Sequence, residues 1–397
     1  MAGRLPMGQK EILRCKVLEM VKQGQITLKA AMKTLRISYR QGKRLYAAYR
    51  EQGDAGLIHG NCGKKSNNRL AEEIREGAVK AYRERYHDFG PTFAVEKLAE
   101  EEGIQISVSS LRNLLIEVGE WKGRRQGSEY RSRRERRACF GELVQFDGSH
   151  HKWFEERGPS CCLITLIDDA TNTRLSRFFE GETIVGAMTV FSCWIMNYGI
   201  PEALYCDKKN AFVLTREPTD AELLRGITEP KSHFGRACDK LGVQVIAANS
   251  PQAKGRVERN HGVDQDRLVK ELRLAGISTI EAANQFLEHS YLPKMNRKFS
   301  RLAASQEDAH VPLGTVDLKS IMCFEYVRTV SNDYVVRFEK QLFQILKSNK
   351  TLPRPKDKVI IRIDLDGARA LIWKDTKLLV KELTNIKEQG LKSQDVA

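Results

Sequence analysis

The middle of the chain switches between two hydrophobic periods in an order that few folds can absorb. Apolar or β-branched runs from Leu143 to Phe146, Cys161 to Ile167 and Leu175 to Phe179 follow one another closely, the spacing of a three-stranded meander. Helical spacing then takes over from Thr183 to Tyr198, with Met188, Phe191 and Ile195 on one face and Gly199, Ile200 and Pro201 as the stop. A short strand from Ala203 to Cys206, a helix around Ser232 to Leu241, a strand from Val243 to Ala247 and a long helix from about Gln252 to Ala275 follow. Strands in succession, then strands separated by helices, predict an α/β domain.

At 397 residues the chain is too long for one ordinary core, and about two to four domains are expected. A formal charge of +15 repels itself unless a polyanion compensates it, which points to nucleic acid. The membrane-surface alternative finds no Lys-rich amphipathic helix with a bulky apolar face and no long apolar run. The opening MAGRLPMGQKEILRCK lacks the apolar stretch of a signal peptide, so a cytoplasmic, nucleoid-associated protein is expected. The nine cysteines are odd in number, scattered and mostly in apolar context, and no CxxC pair occurs. They read as reduced core residues, not as a disulfide framework or a zinc site.

Residues 1–60 read as a helix-turn-helix domain. A helix from Met7 to Gln23 closes at Gly24, a second spans Thr27 to Leu35, and after the turn at Arg36 and Ile37 a third begins with Ser38 as N-cap and Gln41 at the capping-box position. Its first turns carry Arg40, Lys43 and Arg44, where a recognition helix meets base edges and phosphates; a helical hairpin with a solvated basic face is the plainer alternative. Residues 68–121 form a second helical region with a weaker helix-turn-helix signal. Its helices are RLAEEIREGAVKAYRERYHDFG, PTFAVEKLAEEEG with Thr92 as cap, and SVSSLRNLLIEVGEW started by Ser107 or Ser109. Glu100, Glu101 and Glu102 would repel phosphate unless they face away. Residues 122–138 are a basic linker whose Arg124, Arg125, Arg133 and Arg134 suit a phosphate backbone. The α/β core occupies 139–300, ending in a helix from Thr279 to Tyr291 and a basic loop. Residues 315–385 alternate like short strands, with turns at Ser331 to Asp333 and at Asp366 to Gly367, and read as a small β-barrel.

Three carboxylates sit at the ends of core elements: Asp147 in LVQFDGSHH, Asp207 after ALYC, and Glu258 in NSPQAKGRVERNHG. Phosphoryl transfer on DNA needs an activated oxygen nucleophile and relief of charge on the leaving oxygen. Two Mg²⁺ ions supply both and require hard anionic oxygen ligands. Each carboxylate also has a plainer role: Asp147 in a turn before Gly148, Asp207 in an ion pair with Lys208 or Lys209, Glu258 paired with Lys254. Asp168 and Asp169 follow an equally apolar strand and read as turn and capping residues; Asp239 and Asp264 lie on helices.

The order of strands and helices is that of an RNase H-like fold, though not of that fold alone. LVQFDGSHHKWF, LITLIDDATNTRL, NYGIPEALYCD and NSPQAKGRVERNHGVDQDRLVKELRLAGI together resemble the integrase-type catalytic core of DDE transposases, most closely those of the ISNCY group of bacterial insertion sequences. The resemblance selects Asp147, Asp207 and Glu258 over their neighbours as catalytic Mg²⁺ ligands, with two ions and Mn²⁺ as a substitute. It implies cutting at transposon ends and joining of the freed 3′-hydroxyl to target DNA, with Lys254, Arg256 and Arg259 steering the backbone. The implied partners are terminal inverted repeats, target DNA and further copies of the chain, as a homodimer or larger assembly. Fifty residues separate Asp207 from Glu258, more than in the shortest members of the family, and AFVLTREPTDAELLRGITEPK reads as an insertion. Lys208, Lys209 and Asn210 replace the Asn and Gly of many relatives. A non-catalytic DNA-binding regulator or domesticated transposase would share the helices, and an RNase H-like nuclease would share the metal site.

Overall fold

The computed structural model describes residues 8–58, 69–123, 134–207, 217–219, 228, 230–247 and 255–383. The chain divides into two compact units: Met1–His87 with Ala94–Lys122, and Asp88–Phe93 with Gly123–Ala397.

The first unit begins with α1 (Gln9–Lys22), α2 (Leu28–Leu35) and α3 (Tyr39–Gln52). Thr27 caps α2 through the Ala30 N–H and Ser38 caps α3 through the Gln41 N–H, satisfying amides that have no intrahelical partner. Between them Arg36 takes a left-handed conformation at φ 52°, and Ile37 N–H returns to Met32 O at 3.1 Å, a helix-terminating turn. Val17, Leu18, Ala31, Met32, Tyr49 and Leu57 form the core. At the α2–α3 crossing a Cβ on Gly42 would fall 1.7 Å from Met32 Sδ. Gly42→Val is therefore expected to cost about 1–3 kcal/mol through overpacking, and thermal unfolding of the variant would measure it.

The remaining helices are α4 (Glu72–Arg85), α5 (Pro91–Glu101) and α6 (Val108–Glu117). Ser107 caps α6 at the Ser110 N–H. Helix α5 starts at Pro91, one residue before the expected Thr92 cap; proline suits a first helical position because its missing N–H would lack a partner there anyway. Glu101 and Glu102 are held by Arg85 at 2.6 and 2.5 Å and by the Tyr86 hydroxyl, so the acidic run is largely neutralised internally.

In the second unit β1 (Val144–His151), β2 (Cys161–Asp168) and β3 (Arg174–Phe179) form the expected antiparallel meander. After α7 (Ile184–Tyr198) come β4 (Ala203–Cys206), α8 (His233–Lys240) and β5 (Gln244–Ala247), giving the sheet order β3-β2-β1-β4-β5 with β4 and β5 parallel to β1. The face carrying Val144 and Phe146 packs on Phe191, Trp194 and Phe234 from α7 and α8. The long helix α9 (Gly255–Leu274) covers the opposite face with α10 (Ile280–Phe286) and α11 (Leu292–Phe299). The basic loop expected after Tyr291 is this last helix. A π-turn at Leu287–Tyr291 leads into it, and Pro293 falls at its start, where no N–H is required.

A short helix, α12 (Leu318–Ile321), precedes β6 (Cys323–Thr329), β7 (Val335–Phe338), β8 (Gln341–Ile345), β9 (Lys358–Asp364), β10 (Arg369–Trp373), β11 (Thr376–Leu378) and β12 (Val380–Leu383). The expected turns close at Ser331 O···H–N Tyr334 and Asp364 O···H–N Gly367. Among the described residues the expected barrel is not closed: the strands make two sheets, β11-β10-β9-β6 and β12-β8-β7, over one core of Val336, Phe338, Ile361 and Leu371. The chain changes sheets at Leu379, whose N–H goes to the Asn349 side chain and whose carbonyl takes the Leu346 N–H, and among the described residues no ladder joins the two sheets.

Half-buried Glu325 of β6 binds Arg236 and Lys240 of α8 at 3.1 and 3.0 Å. Beside it His233 lies against Phe324 and Tyr326. Burial lowers the His233 pKa below 6.5, and neighbouring Arg236 adds to the shift against Glu325. A histidine depressed in the folded state contributes stability that is present above 6.5 and is lost as pH falls through 6.5 toward the folded value. The acid-side fall in melting temperature is therefore expected to be shallower in His233→Gln, measurable by melts across that window.

Candidate active site

Asp147 lies in β1, and the β1–β4 register pairs Val144 with Leu204 and Gln145 with Tyr205. Continued by two residues, that offset would set Asp207, just beyond β4, level with Asp147. Strand β1 continues to His151 while β4 ends at Cys206. This leaves a notch at the carboxyl ends of two parallel strands, the place where open α/β sheets bind ligands.

Alternation along β1 aims Gln145, Asp147 and Ser149 at α9. Gln145 Oε1 accepts the Val257 N–H at 3.2 Å, Asp147 Oδ2 lies 3.7 Å from His261 Nδ1, and Ser149 Oγ accepts from Gln265 Nε2 at 3.1 Å. Two strand residues advance about 6.7 Å and four helical residues about 6.0 Å, so the two elements stay in step over these three contacts. Glu258 follows Val257 in the first turn of α9, exposed and about 60° around the helix from His261. Its carboxylate is favoured there by the helix N-terminus.

The competing carboxylates are committed elsewhere. Asp168 is fully buried and accepts from Gly141 N–H at 3.0 Å, Thr171 N–H at 2.6 Å and the Thr171 hydroxyl at 2.8 Å. Burial raises its pKa against those hydrogen bonds. Asp239 pairs with Lys231 at 2.6 Å. Asp264, also buried, binds Arg174 at 2.9 Å and the Tyr291 hydroxyl at 2.8 Å, with burial raising its pKa against Arg174.

Asp169 stands in the turn after β2, as expected, but its side chain does more than cap that turn. It is fully buried and accepts from Arg134, Arg256 at 2.7 Å, Gln145 Nε2 at 2.8 Å and Arg137 N–H at 2.8 Å. Two arginines expected at the DNA backbone, Arg134 and Arg256, thus have this internal partner. Gln145 links Asp169 to the start of α9. Neither Gln145, Asp169 nor His261 is marked out by a motif; the legible signal is the polar alternation Gln145, Asp147, Ser149 within an otherwise apolar strand.

Arg40, Lys43 and Arg44 are all exposed on α3, with Lys43 Nζ 5.1 Å from the Tyr39 ring centre. Arg259 is exposed on α9. Arg124, Arg125, Arg133 and Lys254 lie outside the described residues, as do Lys208, Lys209, Asn210 and most of the expected insertion. Asp147, Asp207 and Glu258 fit Mg²⁺ as donors because all are hard anionic oxygen ligands. Among the described residues, no group of three or more His, Cys, Asp or Glu side chains stands in a geometry that could hold a metal ion.

A helix-turn-helix domain family matches residues 13–66. A protein named as a transposase, y4bF of Sinorhizobium fredii, is 36% identical over 379 residues, covering 95% of this chain and 81% of that one. The chain belongs to the transposases. The transposase for insertion sequence IS1202 of Streptococcus pneumoniae is 29% identical over 364 residues, covering 82% of this transposase and 76% of that protein. Among solved structures, a simian T-cell lymphotropic virus intasome in complex with a PP2A regulatory subunit covers 78% of this chain and 99% of its own, at 15% identity and a TM-score of 0.32. The HTLV-2 integrase catalytic core domain in complex with magnesium covers 44% of this chain and 95% of its own, at 17% identity and a TM-score of 0.29. Scores this low carry no weight for the transposase's mechanism. No helix among its described residues is long and apolar enough to cross a membrane.

Proposed function

We propose that this transposase cleaves DNA at transposon ends and joins the freed 3′-hydroxyl to target DNA, with Asp147, Asp207 and Glu258 as its Mg²⁺ ligands. The observation that carries the reading is the β1–β4 register, whose continuation would set Asp207, just past β4, level with Asp147 in β1, while the β1–α9 contacts bring the first turn of α9 to the same strand. Two bound Mg²⁺ ions, or Mn²⁺ in their place, would polarise the attacking oxygen and offset charge on the leaving one. The chain's own contribution is positioning: Gln145, His261 and Gln265 fix helix and strand in one register, so Asp147 and Glu258 are presented from regular elements.

Helix α3 would read the terminal repeat through Arg40, Lys43 and Arg44 in the major groove, with Arg124, Arg125, Arg133, Arg134, Lys254, Arg256 and Arg259 along the backbone. Two ends must meet for one joining event, so the working form is a homodimer or larger assembly on inverted repeats. The test is strand transfer with paired terminal-repeat DNA, a target plasmid and Mg²⁺. Joined product that requires both the repeat sequence and the metal supports the reading. Repeat binding with no Mg²⁺-dependent nicking would make the chain a regulator, and cutting that ignores the repeat would make it a nuclease.

A further inference from the structure

Around the turn that follows β2, five arginines from three stretches of chain converge on one small region of the second unit. Arg134 and Arg256 meet at Asp169, and the Arg256 guanidinium also donates to Arg134 O at 3.2 Å. Arg136 donates to the backbone carbonyls of Asp169 and Ala170 at 2.7 and 3.2 Å. Arg301 is fixed beside them by its backbone N–H to Thr171 O at 2.8 Å. Arg259 lies three residues after Arg256, on the same side of α9.

The acidic groups here are Asp168, spent on Gly141 and Thr171, Asp169, spent on Arg134 and Arg256, and the exposed Glu135 and Glu258, which adjoin Arg134, Arg136 and Arg259 in the chain. Among the described residues neither Arg259 nor Arg301 makes an ion pair, and both are exposed. Burial and then the nearby Arg301 lower the pKa of Arg136, the mark of cations held close together. Five guanidiniums beside four carboxylates, two of them already committed, still leave positive potential unspent, and planar donor forks suit phosphate oxygens.

We propose that Arg259, Arg301 and Arg136, braced by the Asp169 bridge between Arg134 and Arg256, form a preassembled seat for a DNA backbone phosphate beside the first turn of α9. The assignment rests on the transposase reading for its ligand, and it deepens that reading by adding Arg136 and Arg301 and by giving Asp169 a bracing role. The seat shares the first turn of α9 with Glu258, which precedes Arg259 in the chain. Arg134 and Arg256 serve mainly as the frame of the seat, and Arg259 and Arg301 as its free donors.

The test is binding of the full chain to a random-sequence DNA duplex, followed by fluorescence anisotropy from about 50 to about 200 mM KCl in EDTA, where neither metal nor end sequence enters. Each phosphate contact contributes about 0.9 to the slope of log affinity against log salt, or about 3.5-fold over that range. Arg301→Ala and Arg259→Ala should each lose about one such contact, Arg301→Lys should restore most of the slope, and the melting temperature should not move. Slopes equal to wild type in both alanine variants would overturn the seat. If slopes fall yet paired-end joining never occurs in Mg²⁺, the proposed function fails and the seat stands. Joining with unchanged slopes fails the seat alone.

Discussion

Asp207→Asn is expected to lower Mg²⁺-dependent joining by about 10³-fold or more while leaving binding to terminal-repeat DNA unchanged. Asparagine keeps the shape of the side chain and one carbonyl acceptor but carries no charge, and a catalytic metal supplies several kcal/mol of charge stabilisation in the transition state. At 1.36 kcal/mol per decade, a loss of about 4 kcal/mol is about 10³ in rate. The side chain sits just past β4 and only half buried, so folding should be spared. End binding in EDTA should match wild type, because the α3 surface belongs to the other unit. Joining at the wild-type rate would remove Asp207 from the ligand set. Loss of joining with an unchanged melt and unchanged end binding would support its place there.

Asp169→Ala is expected to cost about 3–5 kcal/mol of stability, the usual result of deleting one partner from a buried charged network. The carboxylate is fully buried, Arg256 beside it has a side chain only 14% exposed, and the cavity would leave the Gln145 amide and Arg137 N–H without their acceptor. Arg134, at 41% exposure, can turn to water and contributes less. For a unit of this size the loss corresponds to a melting shift on the order of 10 °C. Differential scanning calorimetry would measure it, and a shift under about 2 °C would mean that the network is dispensable. Asp169→Asn, which keeps the shape and one acceptor, should fall between wild type and Ala.

Much of the fold was legible because its signals are local. The caps at Thr27, Ser38 and Ser107 satisfy amides within three residues, and the apolar runs of β1, β2 and β3 alternate or fill according to burial. The α11 helix was missed because a π-turn and Pro293 read as a break in a strictly 3.6-residue pattern, while the tertiary core holds Tyr291 and Met295 inward. The barrel was overread because alternation identifies strands but not their partners, and the switch at Leu379 depends on Asn349, thirty residues away.

The candidate site divides in the same way. Residue chemistry and the SPQAKGRVER context single out Asp147, Asp207 and Glu258, since carboxylates are the ligands a hard cation needs wherever they fall in the chain. Only tertiary structure could pair β1 with β4 across sixty residues, make the turn residue Asp169 the buried partner of two arginines, and gather Arg301 beside Arg136. The sequence by itself determined which side chains carry charge and which segments become helix or strand, because those depend on composition and short-range periodicity. Which charges meet was decided by the packing of β1 against β4 and α9, because electrostatic partnership depends on separation in space, and chain distance says little about that separation until the sheet has formed.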